Sequence, residues 1–107
     1  MGFEIAFSRT ALKELERLRA FDHRRIVDAV DHNLVDQPLV ETRNRKCLGD
    51  QLIADFEYVP PLWELKCGDL RVFYSGDETA KVVTVLAVRR KPPNKTTAEV
   101  LHEANGH

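Results

Sequence analysis

The sequence predicts an α+β fold in which a small twisted antiparallel sheet packs against an N-terminal helical hairpin and ends in a short C-terminal helix. Three observations support this class. Hydrophobic residues recur at helical spacing in the first third of the chain. Short apolar runs separated by Gly-Asp pairs occupy the second half, and a helix-start signal follows them. Because helices and strands are grouped apart, the helices are expected to cover one face of a single sheet.

The composition is that of one globular domain spanning residues 1–107. Of 107 residues, 43% are hydrophobic and 31% are charged, which is typical of folded rather than disordered chains. A chain of this length buries about two thirds of its surface on folding, so a core without metal or disulfide crosslinks is expected. The formal net charge is -1. Nothing global therefore indicates a nucleic-acid binder, and any basic site must be local.

Sequence motifs give no indication of a metal, a cofactor or a membrane. Cys47 and Cys67 lie outside any zinc-ligand spacing. The first ten residues contain no basic stretch followed by an apolar run, so no signal peptide is expected. No apolar run approaches the roughly 18 residues of a membrane span. We therefore expect a reduced, cytoplasmic protein with no metal, no cofactor and no membrane partner.

The N-terminal segment predicts a strand followed by an amphipathic helix. Apolar residues alternate with more polar ones over residues 3–7, which is the period of a strand. Ser8 or Thr10 is then a candidate helix cap. Leu12, Leu15 and Leu18 recur at helical spacing with charged residues between them, so a helix is predicted to end near residue 20.

A second helix is predicted after a two-residue link. Asp22 is the candidate cap, Ile26, Val30 and Leu34 share one face, and Pro38 closes the helix. The short link predicts an antiparallel helical hairpin. Residues 39–61 show no regular period and are expected to dock onto the core as a loop.

Three strands are predicted to form an antiparallel meander. Apolar runs at residues 62–66, 70–75 and 80–88 are separated by short Gly-containing turns. Pro92-Pro93 breaks the last strand. Thr96 and Glu99 have the spacing of a capping box, so a helix is predicted to run to about residue 104.

The basic side chains are concentrated in the middle of the chain. Residues 43–95 carry ten basic and seven acidic side chains, whereas acidic side chains outnumber basic ones on either side. If they share one sheet face or rim, they form a local positive surface suited to phosphates. Solvated strand ends are the alternative interpretation. The cluster consists of Arg43, Arg45, Lys46, Lys66, Arg71, Arg89, Arg90, Lys91 and Lys95.

Three segments resemble the RelE/ParE superfamily of bacterial toxins. They are TRNRKCL at residues 42–48, WELKCGDLRVFY at 63–74 and KVVTVLAVRR at 81–90. The family combines a strand, a tight Gly turn, an Arg-hydrophobic-hydrophobic-Tyr strand and a Val-rich strand closed by basic residues. The resemblance covers residues 3–91. It implies a RelE-like fold and the toxin of a type II toxin–antitoxin system, paired with a cognate antitoxin.

The resemblance leaves three functions open. RelE-like members cut messenger RNA, usually on the ribosome, whereas ParE-like members inhibit DNA gyrase and need no nuclease site. The favoured hypothesis is a metal-independent endoribonuclease that binds mRNA and the ribosome and inhibits translation. The alternatives are a non-catalytic inhibitor of DNA gyrase and a degenerate member that only binds its antitoxin.

Residue by residue, the resemblance assigns candidate catalytic roles to Arg71, Arg90 and Lys91. Arg71 falls on the Arg that contacts the scissile phosphate in nuclease members, and its planar fork matches two phosphate oxygens. Lys91 falls on or beside the basic residue after the last strand, where it is a candidate for proton transfer. The candidate RNA-binding residues are Arg43, Arg45, Lys46, Lys66 and Arg89.

Some features of the nuclease members are absent from this sequence. Their lysines on the first meander strand would fall on Leu62 and Glu64, and their C-terminal tyrosine would fall near Thr97. An ion pair between Arg71 and either Glu64 or Asp69 is the structural alternative to phosphate binding.

Overall fold

Within residues 2–102, the part of the chain that this computed structural model describes, five strands form one mixed sheet in the order β1-β5-β4-β3-β2. β1 runs parallel to β5, and every other neighbouring pair is antiparallel. The elements in chain order are β1 (Glu4–Phe7), α1 (Arg9–Glu16), α2 (Ala20–Leu34), β2 (Arg45–Gly49), β3 (Leu62–Cys67), β4 (Leu70–Asp77), β5 (Val82–Arg90) and α3 (Thr97–Val100).

The predicted α+β class, the helical hairpin and the three-stranded meander are confirmed. The Ser8 hydroxyl caps α1 by accepting a hydrogen bond from the Ala11 backbone N–H at 3.1 Å. The Thr96–Glu99 capping box also forms at the start of α3. The predicted end of that helix, near residue 104, lies outside the described residues.

The sheet contains one parallel pair besides the predicted antiparallel meander. β1 lies beside β5 at one edge and runs parallel to it, so the five-stranded sheet is mixed. β2 was not predicted. The basic segment before the meander, which was expected to be part of a loop, forms an edge strand against β3.

β5 begins two residues later than predicted because Lys81 takes a left-handed φ of 58° in the β4–β5 turn.

The first face of the sheet packs against the hairpin. Ala11 and Leu15 of α1 and Ile26 and Val30 of α2 are buried against it. Tyr74 stacks on Trp63 in this core, and its hydroxyl donates a 2.5 Å hydrogen bond to the Pro38 carbonyl oxygen. Burial raises the pKa of Tyr74 above its ordinary value. Tyr74 is therefore part of the core on the hairpin side of the sheet.

A second, smaller core lies on the opposite face of the sheet. Phe73 is fully buried there, together with Val100 of α3 and Leu101, the residue that follows this helix. The segment between β2 and β3 covers this face with partly buried apolar side chains, including Phe56, whose ring lies 6.4 Å from that of Phe73. This core holds α3 over the sheet face that carries several of the predicted basic residues.

Candidate functional site

Strand pairing places four of the predicted cations on the face of the sheet beneath α3. Residues directly opposite each other on neighbouring strands share a face, as do residues two apart on one strand. Lys46 lies opposite Glu64, Lys66 opposite Arg71, and Arg71 opposite Arg89. We call Lys46, Lys66, Arg71 and Arg89 the cationic face.

Arg71 is held by the chain itself. Its Nε lies 3.7 Å from Oε2 of Glu64, and its Nη1 donates to the carbonyl oxygens of Gly68 at 2.8 Å and Leu70 at 2.9 Å. The side chains of Arg71 and Glu64 are only 11% and 12% exposed. The alternative interpretation, an ion pair with Glu64, therefore describes Arg71 in this structure. A phosphate at Arg71 would meet that carboxylate.

Arg89 is enclosed rather than presented to solvent. Its Nε donates to Glu14 at 2.9 Å, its Nη2 lies 2.8 Å from Oδ1 of Asp55, and its Nη1 donates to the Val100 carbonyl oxygen at 2.9 Å. The side chain is 2% exposed and also lies against the ring of Phe56. RNA binding by Arg89 requires an exposed guanidinium, so its burial argues against that predicted role. Arg89 lies on β5 and instead connects this strand to α1, to α3 and to the segment before β3.

Burial also affects the carboxylate that binds Arg89 from α1. Desolvation raises the pKa of Glu14, although its carboxylate accepts hydrogen bonds from Arg89 and from the Val88 backbone N–H at 3.0 Å. Glu14 and Asp55 had no role in the predictions from sequence. They explain why a positive side chain can lie inside this small domain, because buried charges are tolerated when they are paired and hydrogen-bonded.

Arg90 lies on the hairpin side of the sheet, opposite Leu70. It donates to Asp69 and, at 2.9 Å, to Asp22. Asp22 also accepts a 3.0 Å hydrogen bond from Arg25.

The predicted capping role of Asp22 was wrong: the helix begins earlier, at Ala20, and Asp22 lies buried in its first turn. Hydrogen bonding by Arg90 holds the pKa of Asp22 below its ordinary value.

The lowered pKa of Asp22 predicts a specific pH dependence of stability. A carboxyl group with a depressed folded-state pKa stabilises the fold above its unfolded pKa of about 3.9, and this stability is lost as the pH falls through the folded value. We expect Asp22→Asn to lower Tm at neutral pH and to flatten the decline of Tm below about pH 4. Thermal unfolding followed by circular dichroism measures both. Asp28→Asn, at an exposed position of the same helix, is the control, and its Tm should decline at low pH as that of the wild-type chain does.

The other predicted basic residues divide into buried and accessible groups. Arg45 is buried, and its guanidinium donates to the carbonyl oxygens of Val40 at 2.9 Å and Asn33 at 2.8 Å, which argues against a phosphate contact. Arg43, Lys46 and Lys66 are exposed.

Lys91 is partly buried where β5 ends. Its backbone N–H donates to the Asp69 carbonyl oxygen at 2.7 Å, which ties it to the β3–β4 turn. Its neighbours on β5 are separated by the pleat: Arg89 lies beneath α3, and Arg90 lies against α2. Because Arg71 and Arg90 lie on opposite faces, the structure does not bring the three predicted catalytic residues together on one face.

The described residues add two further observations. Between residues 2 and 102 no three His, Cys, Asp or Glu side chains come together in a way that could hold a metal ion. Over the same residues, no helix is both long enough and apolar enough to cross a membrane.

Comparison with known proteins identifies the family. A sequence profile described as the ParE toxin of type II toxin–antitoxin systems, parDE, matches residues 5–91. The chain belongs to the ParE toxin family. The predicted resemblance to the RelE/ParE superfamily is thereby confirmed, and the chain is the toxin of a type II toxin–antitoxin module. No curated protein matches its sequence.

Solved structures share the fold of this ParE-family chain at low sequence identity. The RelBE2 toxin–antitoxin complex of Mycobacterium tuberculosis has a chain 20% identical, with a TM-score of 0.64, over 85% of this chain and 100% of that one. The RelE–RelB complex of Pyrococcus horikoshii gives 22% identity, a TM-score of 0.61, and 90% and 100% coverage. The isolated Escherichia coli RelE toxin gives 18% identity, a TM-score of 0.55, and 91% and 93% coverage. These likenesses establish the RelE-like fold.

Proposed function

We propose that this ParE-family chain is a non-catalytic toxin that inhibits DNA gyrase through protein contact. The observation that carries the proposal is the internal pairing of the arginines expected to act on RNA. Arg71 lies beside Glu64, Arg89 is enclosed by carboxylates, and Arg90 is bound to Asp22. The match to the ParE profile supports the same choice.

Metal-free RNA cleavage makes demands that this arrangement does not meet. The reaction needs a base for the 2′-hydroxyl, cations for the charge at phosphorus and an acid for the leaving oxygen. Arg71 and Arg90 lie on opposite faces, and Glu64 places a negative charge where a phosphodiester would approach Arg71. The endoribonuclease hypothesis, with mRNA and the ribosome as targets, is therefore less well supported than inhibition of DNA gyrase.

We also propose that a cognate antitoxin binds this chain in the cytoplasm, where gyrase and DNA are located. Two of the structural relatives are toxin–antitoxin complexes. The exposed cations Arg43, Lys46 and Lys66 would attract an acidic segment of the antitoxin to the part of the sheet that carries them.

Pulse labelling after induced expression without an antitoxin tests the gyrase proposal. We expect incorporation of labelled thymidine to fall before incorporation of labelled leucine, because blocked gyrase stops replication first. Arg71→Ala should reduce thymidine incorporation as the wild-type chain does. An early fall in leucine incorporation that Arg71→Ala abolishes would instead indicate a nuclease.

A further inference from the structure

Glu64 lies in the middle of positive charges on the cationic face. Lys46 faces it directly from β2, and Lys66 is the next residue of β3 on the same face. Its Oε2 lies 3.7 Å from Nε of Arg71 and accepts a 3.5 Å hydrogen bond from the hydroxyl of Thr97 in α3. The Glu64 side chain is 12% exposed, so the carboxylate is largely withdrawn from water.

The guanidinium of Arg71 is held in one orientation by backbone carbonyl oxygens of the β3–β4 turn. The carbonyl oxygens of Gly68 and Leu70 both bind Nη1, which fixes the guanidinium and leaves its Nε edge toward Glu64. A fixed guanidinium edge, with lysines at neighbouring positions of the same sheet face, is the chemistry that binds a phosphodiester oxygen. In this chain a carboxylate already lies beside that edge.

We propose that Lys46, Lys66 and Arg71 form a phosphate-binding site and that Glu64 is the internal anion that occupies it. The carboxylate neutralises one of the three positive charges and repels an incoming phosphodiester, so this face does not bind nucleic acid. Removing the charge of Glu64 exposes the site. The inference goes beyond the gyrase proposal and does not depend on it, because it concerns the affinity of the isolated chain for RNA.

Glu64→Gln tests the proposal because it removes the charge and keeps the size and the hydrogen-bonding capacity toward Thr97. The measurement is fluorescence anisotropy of a labelled oligouridylate against purified protein at several salt concentrations. We expect binding about tenfold tighter than that of the wild-type chain at low salt. Each added phosphate contact should steepen the slope of log affinity against log salt by about 0.7, the value for single strands.

Two further variants isolate the site. Glu78→Gln removes the same charge from an exposed position in the β4–β5 turn and should leave affinity near that of the wild-type chain. Glu64→Gln combined with Arg71→Ala should lose the gain. If Glu64→Gln binds no more tightly than Glu78→Gln, or if the double variant keeps the gain, the proposal is overturned.

A measurement on the wild-type chain keeps the proposal testable if Glu64→Gln does not fold. Inorganic phosphate is titrated into labelled protein while the Nε–H resonance of Arg71 and the ammonium resonances of Lys46 and Lys66 are followed by NMR. Because Glu64 occupies the Nε edge, the lysine resonances are expected to shift while the Arg71 resonance stays in place. A shift of the Arg71 resonance at the lowest phosphate concentrations would refute occupation by Glu64.

Discussion

Replacing Arg89 with methionine is expected to lower the free energy of unfolding by about 3–5 kcal/mol, the cost of leaving a buried ion pair without one partner. Methionine fills much of the same volume but removes the guanidinium that pairs with the carboxylates of Glu14 and Asp55. It also removes the donor to the Val100 carbonyl oxygen. Since small domains are stable by only about 5–15 kcal/mol, such a loss takes much of the total.

Urea unfolding followed by Trp63 fluorescence measures this loss. Arg43→Met at an exposed position is the matched control and should change the free energy of unfolding by no more than about 0.5 kcal/mol. Because the folded-state pKa of Glu14 is already raised, protonation of its carboxylate relieves the unpaired charge. The loss of stability in Arg89→Met should therefore become smaller as the pH is lowered from neutral toward the ordinary range of carboxyl pKa values. Equal stabilities of the two Arg→Met variants would contradict a structural role for Arg89.

Phe73→Ala is expected to cost about 3–5 kcal/mol, the range for removing a large aromatic side chain from a core. Phe73 has no exposed surface and packs beneath α3 and the segment before β3. The substitution removes the contact with the ring of Phe56, so the cavity opens beneath α3 and the segment before β3.

Phe21→Ala provides the same chemical change at a surface position. The Phe21 side chain is 69% exposed on α2, and its truncation should change the free energy of unfolding far less. Urea denaturation of both variants compares them directly. Similar losses at the two positions would mean that the second core does not contribute the stability assigned to it.

The regular parts of the fold follow from local sequence patterns. The leucine spacing of α1, the apolar face of α2 and the Gly-containing turns of the meander each depend on residues close in sequence. β2 has no such pattern, because RKCLG is mixed in polarity and its pairing depends on a strand that begins more than ten residues later. The docking of residues 39–61 onto a core was predicted, but not that part of this segment covers a second core on the opposite face, because it has no helical or strand period.

The candidate site shows the same limit. The sequence identifies the basic residues and the nearby partner of Arg71, Glu64, but not the carboxylates that bind Arg89 and Arg90, because those partners are far apart along the chain. Glu14 and Arg89 are 75 residues apart, and Asp22 and Arg90 are 68 apart. One part was predictable from the strand period alone. Consecutive residues of a strand point to opposite faces, so Arg89 and Arg90 of one strand are not expected to share a phosphate.

A supercoiling assay with purified gyrase tests most directly whether this toxin acts without cleaving RNA. Relaxed plasmid, gyrase and ATP are incubated with increasing amounts of the wild-type chain or of Arg71→Ala, and mRNA programmed on purified ribosomes is incubated with the same preparations. We predict that both proteins inhibit supercoiling over the same concentration range and leave the mRNA intact. Undiminished supercoiling together with mRNA cleavage that requires Arg71 would contradict the proposed function.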